Sequence, residues 1–443
     1  MRLSISSISM AITPSILLLA AQTGVPVSAG GQDISMQQDT AVGSSIASQG
    51  SGSVPVADGV VVVTGYASAG DLGQQFAAAY AANGQTAYYI PAGVYTTSHT
   101  ISVTPKASGN ISLRCAPGTT IRYTGSGDAF AALGAGQSQA NLVLSGCGFT
   151  WAGTAGSANG VHLKAFNKAT ITNVSASGFN HGDGFLNQGV NTVDFYSIQS
   201  TGNLNGIHNV GAVVGGVGFA ANALHFTGGM IANNSRWGVY EDGARAGTVG
   251  PDSNNTYRDI AFESNGTPSG TAPSGGQIFV QSCLGCGIYS NYFEYSLGGG
   301  QTMASQIVIG DTTNSPVTTL VRDNFFASNG GKVACAIDLA ESDRGVVEGN
   351  LDEDSPESSF LENESLSQWS YIGFNYSSAS SYISGAGTTT ATIAIGGIAA
   401  NTLSAGGSHV VYRCSAAGTL PVGALTVAAA NCGASVDTGL RVK

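Results

Sequence analysis

Charge is what this sequence has least of. Charged residues fill 9% of its 443 positions, against roughly a quarter in an average soluble domain. Lysine and arginine together number 15, histidine 6, and the formal net charge is −11. Phosphate backbones are gripped by clustered Lys and Arg, so this balance argues against nucleic acid as a partner. It also counts against a strongly polyanionic substrate, unless a local basic patch overrides the average. The surface of a coiled coil or an ordinary helical protein needs more charge than this. Beyond the N-terminus no apolar run is long enough to span a bilayer. What the chain does have is glycine, 64 residues of it, with abundant Ser, Thr and Asn. Such a composition suits many short strands joined by tight turns.

The N-terminus reads as a processing signal. Arg2 supplies a small positive region, Ile12 to Ala21 an apolar core, and Val27-Ser28-Ala29 a small-residue cleavage pattern. The expected organisation is a signal peptide over 1–29, cleaved near Ala29-Gly30, and a flexible Gly/Ser/Gln-rich lead-in over 30–57. The destination is then secreted or periplasmic, where disulfides are permitted. Seven cysteines cannot all pair. Cys414 with Cys432 is the first expected pair, Cys283 with Cys286 a tight clip, Cys115 with Cys147 a third, and Cys335 the odd buried thiol.

One phrase keeps returning: Ile288-Tyr-Ser-Asn291-Tyr292, Val321-Arg-Asp-Asn324-Phe325, Val347-Glu-Gly-Asn350-Leu351 and Ile372-Gly-Phe-Asn375-Tyr376. Its asparagines lie 33, 26 and 25 residues apart. Self-similarity at this period means stacked coils, a solenoid that is one domain whatever its length. Gly160-Val-His-Leu163, Gly184-Phe-Leu-Asn187, Gly206-Ile-His-Asn209 and Gly238-Val-Tyr-Glu241 mark a second strand series. Parallel coils stack roughly 4.8 Å apart. The repeated asparagines are therefore expected to form a ladder, each amide bonding the next. Longer spacings imply loops inserted at about 210–222, 242–255, 264–275 and 297–304.

One helix is expected, capped by Ser68 or Asp71, with Leu72, Phe76, Ala79 and Tyr80 on one face and Asn83-Gly84 as its stop. It is followed by Ala87-Tyr-Tyr-Ile90-Pro91-Ala92-Gly93-Val94-Tyr95 and by Pro117-Gly118-Thr119-Thr120-Ile121. This helix, strand-turn-strand and Pro-Gly-Thr sequence resembles the first coils of the pectate-lyase-like superfamily. The resemblance implies an all-β fold, a right-handed parallel β-helix over 58–380 whose first helix caps the open end. It also implies a carbohydrate-active protein. The superfamily contains lyases, hydrolases, epimerases, transferases and phage tailspikes, so it does not fix the chemistry. From 381 to 443 the texture changes to Thr/Ala/Gly alternation, expected to form antiparallel strands of a small C-terminal β module. Capping, trimerisation and carbohydrate binding are the roles open to it.

Chemistry is expected on the lateral face between about 180 and 300, where loops interrupt the coils. Phe262-Glu263 and Phe293-Glu294 follow equivalent strands and can stack on neighbouring coils. Glycoside hydrolysis needs two carboxyl groups, roughly 5 Å apart for retention or 6.5–9.5 Å for inversion. Each Glu is equally readable as a solvated turn residue. Arg236-Trp237-Gly-Val-Tyr240-Glu241-Asp242 offers flat faces for sugar rings, a guanidinium for hydroxyls or a carboxylate, and adjacent acids for proton transfer. Trp237 is alternatively core packed under a loop. Asn180-His181-Gly-Asp183-Gly184 is a sharp turn that can also present a base and its partner.

The candidate catalytic residues are thus Asp183, Glu241, Asp242, Glu263 and Glu294. His181, His208, Arg236, Trp237, Tyr240 and Arg258 are the candidate substrate-binding residues. No metal motif stands out, and neither a metal nor another cofactor is expected. The expected partner is a poly- or oligosaccharide, with no membrane span and a homotrimer among the assemblies to consider. Hydrolysis by paired carboxylates leads. Its rivals are a polysaccharide lyase, with an arginine neutralising a uronate, and a non-catalytic glycan-binding or adhesin solenoid.

Overall fold

The structure, a computed structural model, describes residues 56–377 apart from short stretches at 58, 67–69, 107–108, 155, 244–248, 267, 270–271, 274, 296–301, 311–317, 328–330, 341–344, 354–358, 364–369 and 373–374. Beyond 377 it describes three short strands. The expected processing signal, most of the lead-in and the Cys414–Cys432 pair lie outside the described residues.

The described chain is nearly all β, wound into a parallel solenoid with a single α-helix. Each coil contributes to three parallel sheets. The first includes Phe185–Gln188, Asn205–Val210, Trp237–Asp242 and Gly276–Val280, each in register with the next. The second includes Asn110–Cys115, Cys283–Tyr289 and Thr318–Arg322. The third includes Ser175–Ser177, Ala261–Glu263, Tyr292–Glu294 and Phe325–Ala327.

Period-two alternation fills the interior. On the first sheet Val161, Phe185, Ile207, Val239, Ile278 and Ile307 stand one above another, each fully buried. Aromatic columns run beside them: Phe195 on Phe226 at 4.2 Å and Phe226 on Tyr257 at 5.1 Å, then Phe262 on Phe293 at 5.0 Å and Phe293 on Phe326 at 4.9 Å. Stacking like on like follows from the register, since every coil presents the same position to the same neighbour. Each such pair adds about 1 kcal/mol beyond its area burial.

The asparagine phrase sits at the corner between the second and third sheets. Asn291, Asn324 and Asn350 each donate Nδ2 to the Oδ1 of the next asparagine, at 3.1, 2.9 and 2.8 Å, the last to Asn375. The residue before each described one (Ser290, Asp323, Gly349) has φ of +53°, +57° and +71°. That left-handed step turns the chain and swings the amide inward. A second ladder at the corner between the third and first sheets joins Asn203, Asn234 and Asn265. It was not anticipated, although these residues stand 31 apart in sequence.

The helix spans Leu72–Asn83, with the Asp71 carboxylate accepting from the Gln74 amide and Gly84 closing it at φ 65°. Leu72, Phe76 and Ala79 are buried against the first coils. Disulfides join Cys115 to Cys147 and Cys283 to Cys286, and Cys335 is a buried free thiol. Two-stranded hairpins occupy two of the expected insertions, at Ala212–Val214 with Val217–Phe219 and at Pro268–Ser269 with Ala272–Pro273. One expectation is corrected. Thr389–Thr392 and His409–Tyr412 pair in parallel and extend the second sheet rather than forming antiparallel strands. Alternating small residues suit either ladder, so their pattern carries no direction.

Candidate active site

The corner entering the first sheet is shaped by glycines. A Cβ at Gly184, Gly206 or Gly238 would come within 2.8, 2.5 and 2.5 Å of the next coil's carbonyl oxygen. These close approaches bring successive coils together just where polar side chains begin each strand. Alternation then decides direction. Val239 points inward, so Tyr240 and Asp242 point outward with His208, and Glu241 points inward again.

His208 is the centre of the outward group. Its Nδ1–H donates to Asp183 Oδ2 at 2.8 Å, and its Nε2 lies 3.6 Å from Asp242 Oδ2 with no hydrogen-bond partner among the described residues. Asn205 Nδ2 donates to Asp183 Oδ1 at 2.8 Å, fixing the carboxylate that holds the ring. The ring stacks on Tyr240 at 4.9 Å, and Tyr240 stacks on Phe279 at 5.4 Å. Trp237 leans on Phe279 at 5.1 Å, and the exposed Arg236 guanidinium lies 5.1 Å from the centre of the Tyr240 ring.

Electrostatics favour the charged ring. Burial pulls the His208 pKa down, but the hydrogen bond to Asp183 and the nearby negative charges of Asp183 and Asp242 outweigh it and lift the value from 6.5 to about 9. At neutral pH the side chain is an imidazolium between two carboxyl groups. It can give a proton from Nε2; below about pH 9 it cannot take one.

The structure therefore gathers Asp183, His208, Arg236, Trp237, Tyr240 and Asp242 in one place. Glu241 is corrected: it is fully buried and faces the interior of the solenoid rather than the lateral face. Asn209 Nδ2 donates to Glu241 Oε1 at 2.9 Å, Asn255 Nδ2 reaches both carboxyl oxygens at 3.2 and 3.1 Å, and the Tyr257 hydroxyl donates as well. Asp252, equally buried, shares a hydrogen bond with it. Burial raises both acids, Asp252 far more, because the charge of Glu241 adds to its desolvation. Both directions favour the neutral carboxyl, that of Asp252 most.

Glu263 and Glu294 stand opposite each other in register on the third sheet, as their repeated phrase implies. They occupy a different sheet from His208, and the Tyr292 hydroxyl donates to Glu294. Arg258 is exposed on the second sheet and paired with Asp259 at 3.1 Å. His181 is exposed in the turn before Asp183. Asn205 is the residue that sequence reasoning missed. Its signal is the phrase Asn-Gly-Val-His at 159–162, repeated as Asn-Gly-Ile-His at 205–208. Among the described residues no group of three or more His, Cys, Asp or Glu is placed to hold a metal ion, and no helix is long and apolar enough to cross a membrane.

No family model and no curated protein matches the chain. Solved structures do. The surface adhesin PfbA of Streptococcus pneumoniae superposes with a TM-score of 0.54 at 12% identity, over 80% of this chain and 90% of that one. A mutant of DFA-IIIase from Arthrobacter chlorophenolicus A6, in complex with DFA-III, gives 0.49 at 12% identity over 81% and 95%. The A-module of the Azotobacter vinelandii mannuronan C-5 epimerase AlgE4 gives 0.39 at 14% over 78% and 100%. By fold, the chain is a parallel β-helix.

Proposed function

We propose that this protein is a secreted carbohydrate-active enzyme that hydrolyses a poly- or oligosaccharide on the outward face of the first sheet. The observation that carries the reading is His208, set between Asp183 and Asp242 with its pKa raised to about 9 and with Nε2 making no hydrogen bond among the described residues. In this reaction His208 Nε2–H protonates the glycosidic oxygen as its bond to the anomeric carbon breaks. Asp183 keeps the ring oriented by accepting Nδ1–H. The Asp242 carboxylate, 3.6 Å from Nε2, stabilises the oxocarbenium-like charge, and the neutral ring left by that transfer accepts a proton of the attacking water, whose hydroxyl joins the anomeric carbon. Trp237, Tyr240 and Arg236 offer sugar rings flat faces and a hydrogen-bond donor.

The same charge state disfavours the lyase reading at this cluster. Elimination needs a base for the C5 proton, and an imidazolium is not one. The test is a glycan panel assayed both for new reducing ends and for the absorbance of unsaturated ends. Reducing ends without unsaturated ones are expected. His208→Gln and Asp242→Asn should each lose roughly 100- to 10,000-fold, the range of a general acid or base. Activity abolished by Glu263→Gln or Glu294→Gln but retained in His208→Gln would move the chemistry to the third sheet. Glycan binding without cleavage of any kind would leave the adhesin-like reading.

A further inference from the structure

The device that holds His208 occurs twice. Asn159 Nδ2 donates to Asp128 Oδ1 at 2.7 Å, and His162 Nδ1–H donates to Asp128 Oδ2 at 2.7 Å. These contacts match Asn205 and His208 on Asp183, atom for atom. His162, Leu186 and His208 occupy one outward column in register, so the two rings lie two coils apart. Two coil steps of roughly 4.8 Å each set them about 10 Å apart.

The copies differ at the far side of the ring. His208 Nε2 makes no hydrogen bond among the described residues, whereas His162 Nε2 lies 3.0 Å from Gln188 Oε1. A ring engaged at both nitrogens is fixed in place rather than poised to transfer a proton. It in turn holds one side of the Gln188 amide, and the other side has no hydrogen-bond partner among the described residues and is left for a ligand. Lys164 stands in register beside Gln188, partly exposed and without an ion pair among the described residues. Lys164, Gln188, Val210 and Asp242 form the column next to the histidines. One strip of sheet therefore carries outward donors at one end and the His208–Asp242 pair at the other.

We infer that Gln188 and Lys164, positioned by the Asp128–Asn159–His162 cluster, form a second glycan-binding station in line with His208. Gln188 lies one coil step from the His208 strand and Lys164 two, about 10 Å, so a substrate that reaches from Lys164 to His208 is an oligosaccharide or polymer lying along the solenoid axis. The inference rests on the reading of this face as a glycan site, and it concerns binding rather than bond cleavage.

Native gel electrophoresis of the full chain in gels cast with polygalacturonate, alginate, inulin, xylan or laminarin tests it, with the melting temperature of each variant read alongside. The wild type should be retarded by at least one polymer. Lys164→Ala with Gln188→Ala should weaken that retardation at least fivefold without lowering the melting temperature. His162→Gln should weaken it too, through loss of positioning. Retardation that falls in Trp237→Ala but is unchanged in the Lys164/Gln188 double variant overturns the second station and leaves the first site standing. No retardation of the wild type by any of the five overturns both. Retardation that needs both stations, without cleavage of the polymer, supports the inference while the hydrolytic reading falls.

Discussion

Replacing Asp183 with asparagine tests the charge state on which the proposed acid depends. Burial alone would pull the His208 pKa below 6.5; the hydrogen bond to Asp183 and the charges of Asp183 and Asp242 carry it to about 9. That rise corresponds to about 3 kcal/mol of preference for the imidazolium in the folded state. Because the folded pKa is the raised one, the contribution to stability is complete below pH 6.5 and is lost as pH climbs through about 9. Asp183→Asn keeps the shape of the side chain and removes one of the two charges, while burial still acts. The pKa should fall to 6.5 or below. The ring is followed by NMR across the pH range, with His208→Gln used to assign its signals, and stability is measured by urea unfolding at both ends of the window. The wild type should lose about 3 kcal/mol across it through this group, and the variant almost none of that. A wild-type ring that titrates at or below 6.5 would refute the reasoning, and with it the acid role of His208.

Two further predictions concern the interior. Asp252→Asn should be more resistant to urea than wild type at alkaline pH and converge with it in acid. The raised Asp252 pKa means that stability from this group is present below about 3.8 and declines as pH rises, and an amide cannot ionise; a variant that keeps the wild-type slope would show that Asp252 holds no proton. This slope adds to that of His208, so the two variants together separate the contributions. Asn324→Ala orphans the Asn291 amide N–H and the Ile288 carbonyl, both in the buried corner. At about 1–3 kcal/mol per unsatisfied group, the loss should be about 2–6 kcal/mol in urea unfolding. A loss below about 1 kcal/mol would show that water replaces the ladder.

The solenoid was legible because its signals are local and repeated. A left-handed residue followed by asparagine recurs at each corner, and the register then dictates which neighbour it meets. The helix cap at Asp71, the Cys115–Cys147 and Cys283–Cys286 pairs and two inserted hairpins were readable for the same reason. The site was only half legible. Arg236, Trp237, Tyr240 and Asp242 lie close in sequence, whereas Asp183 and His208 come from different coils, 25 residues apart. No periodicity announces that one will hold the other. Glu241 misled for a different reason. Its charge suggests the surface, yet the aliphatic residue two places earlier fixes it inward, and the Asn187, Asn209, Glu241 column shows the interior to be polar there. Parity outranked polarity.

The asparagine ladder also has a direction. Each Oδ1 receives the backbone amide of the coil before it, and each Nδ2 reaches back to that coil's carbonyl. A coil is thus finished by the coil that follows. As the chain leaves the ribosome, every turn of the solenoid waits on its successor to close its corner. Lengthening or shortening the molecule by whole turns leaves this arrangement intact everywhere except at the join. The wall that carries the site can grow or shrink in increments of one turn while the site keeps its own neighbours.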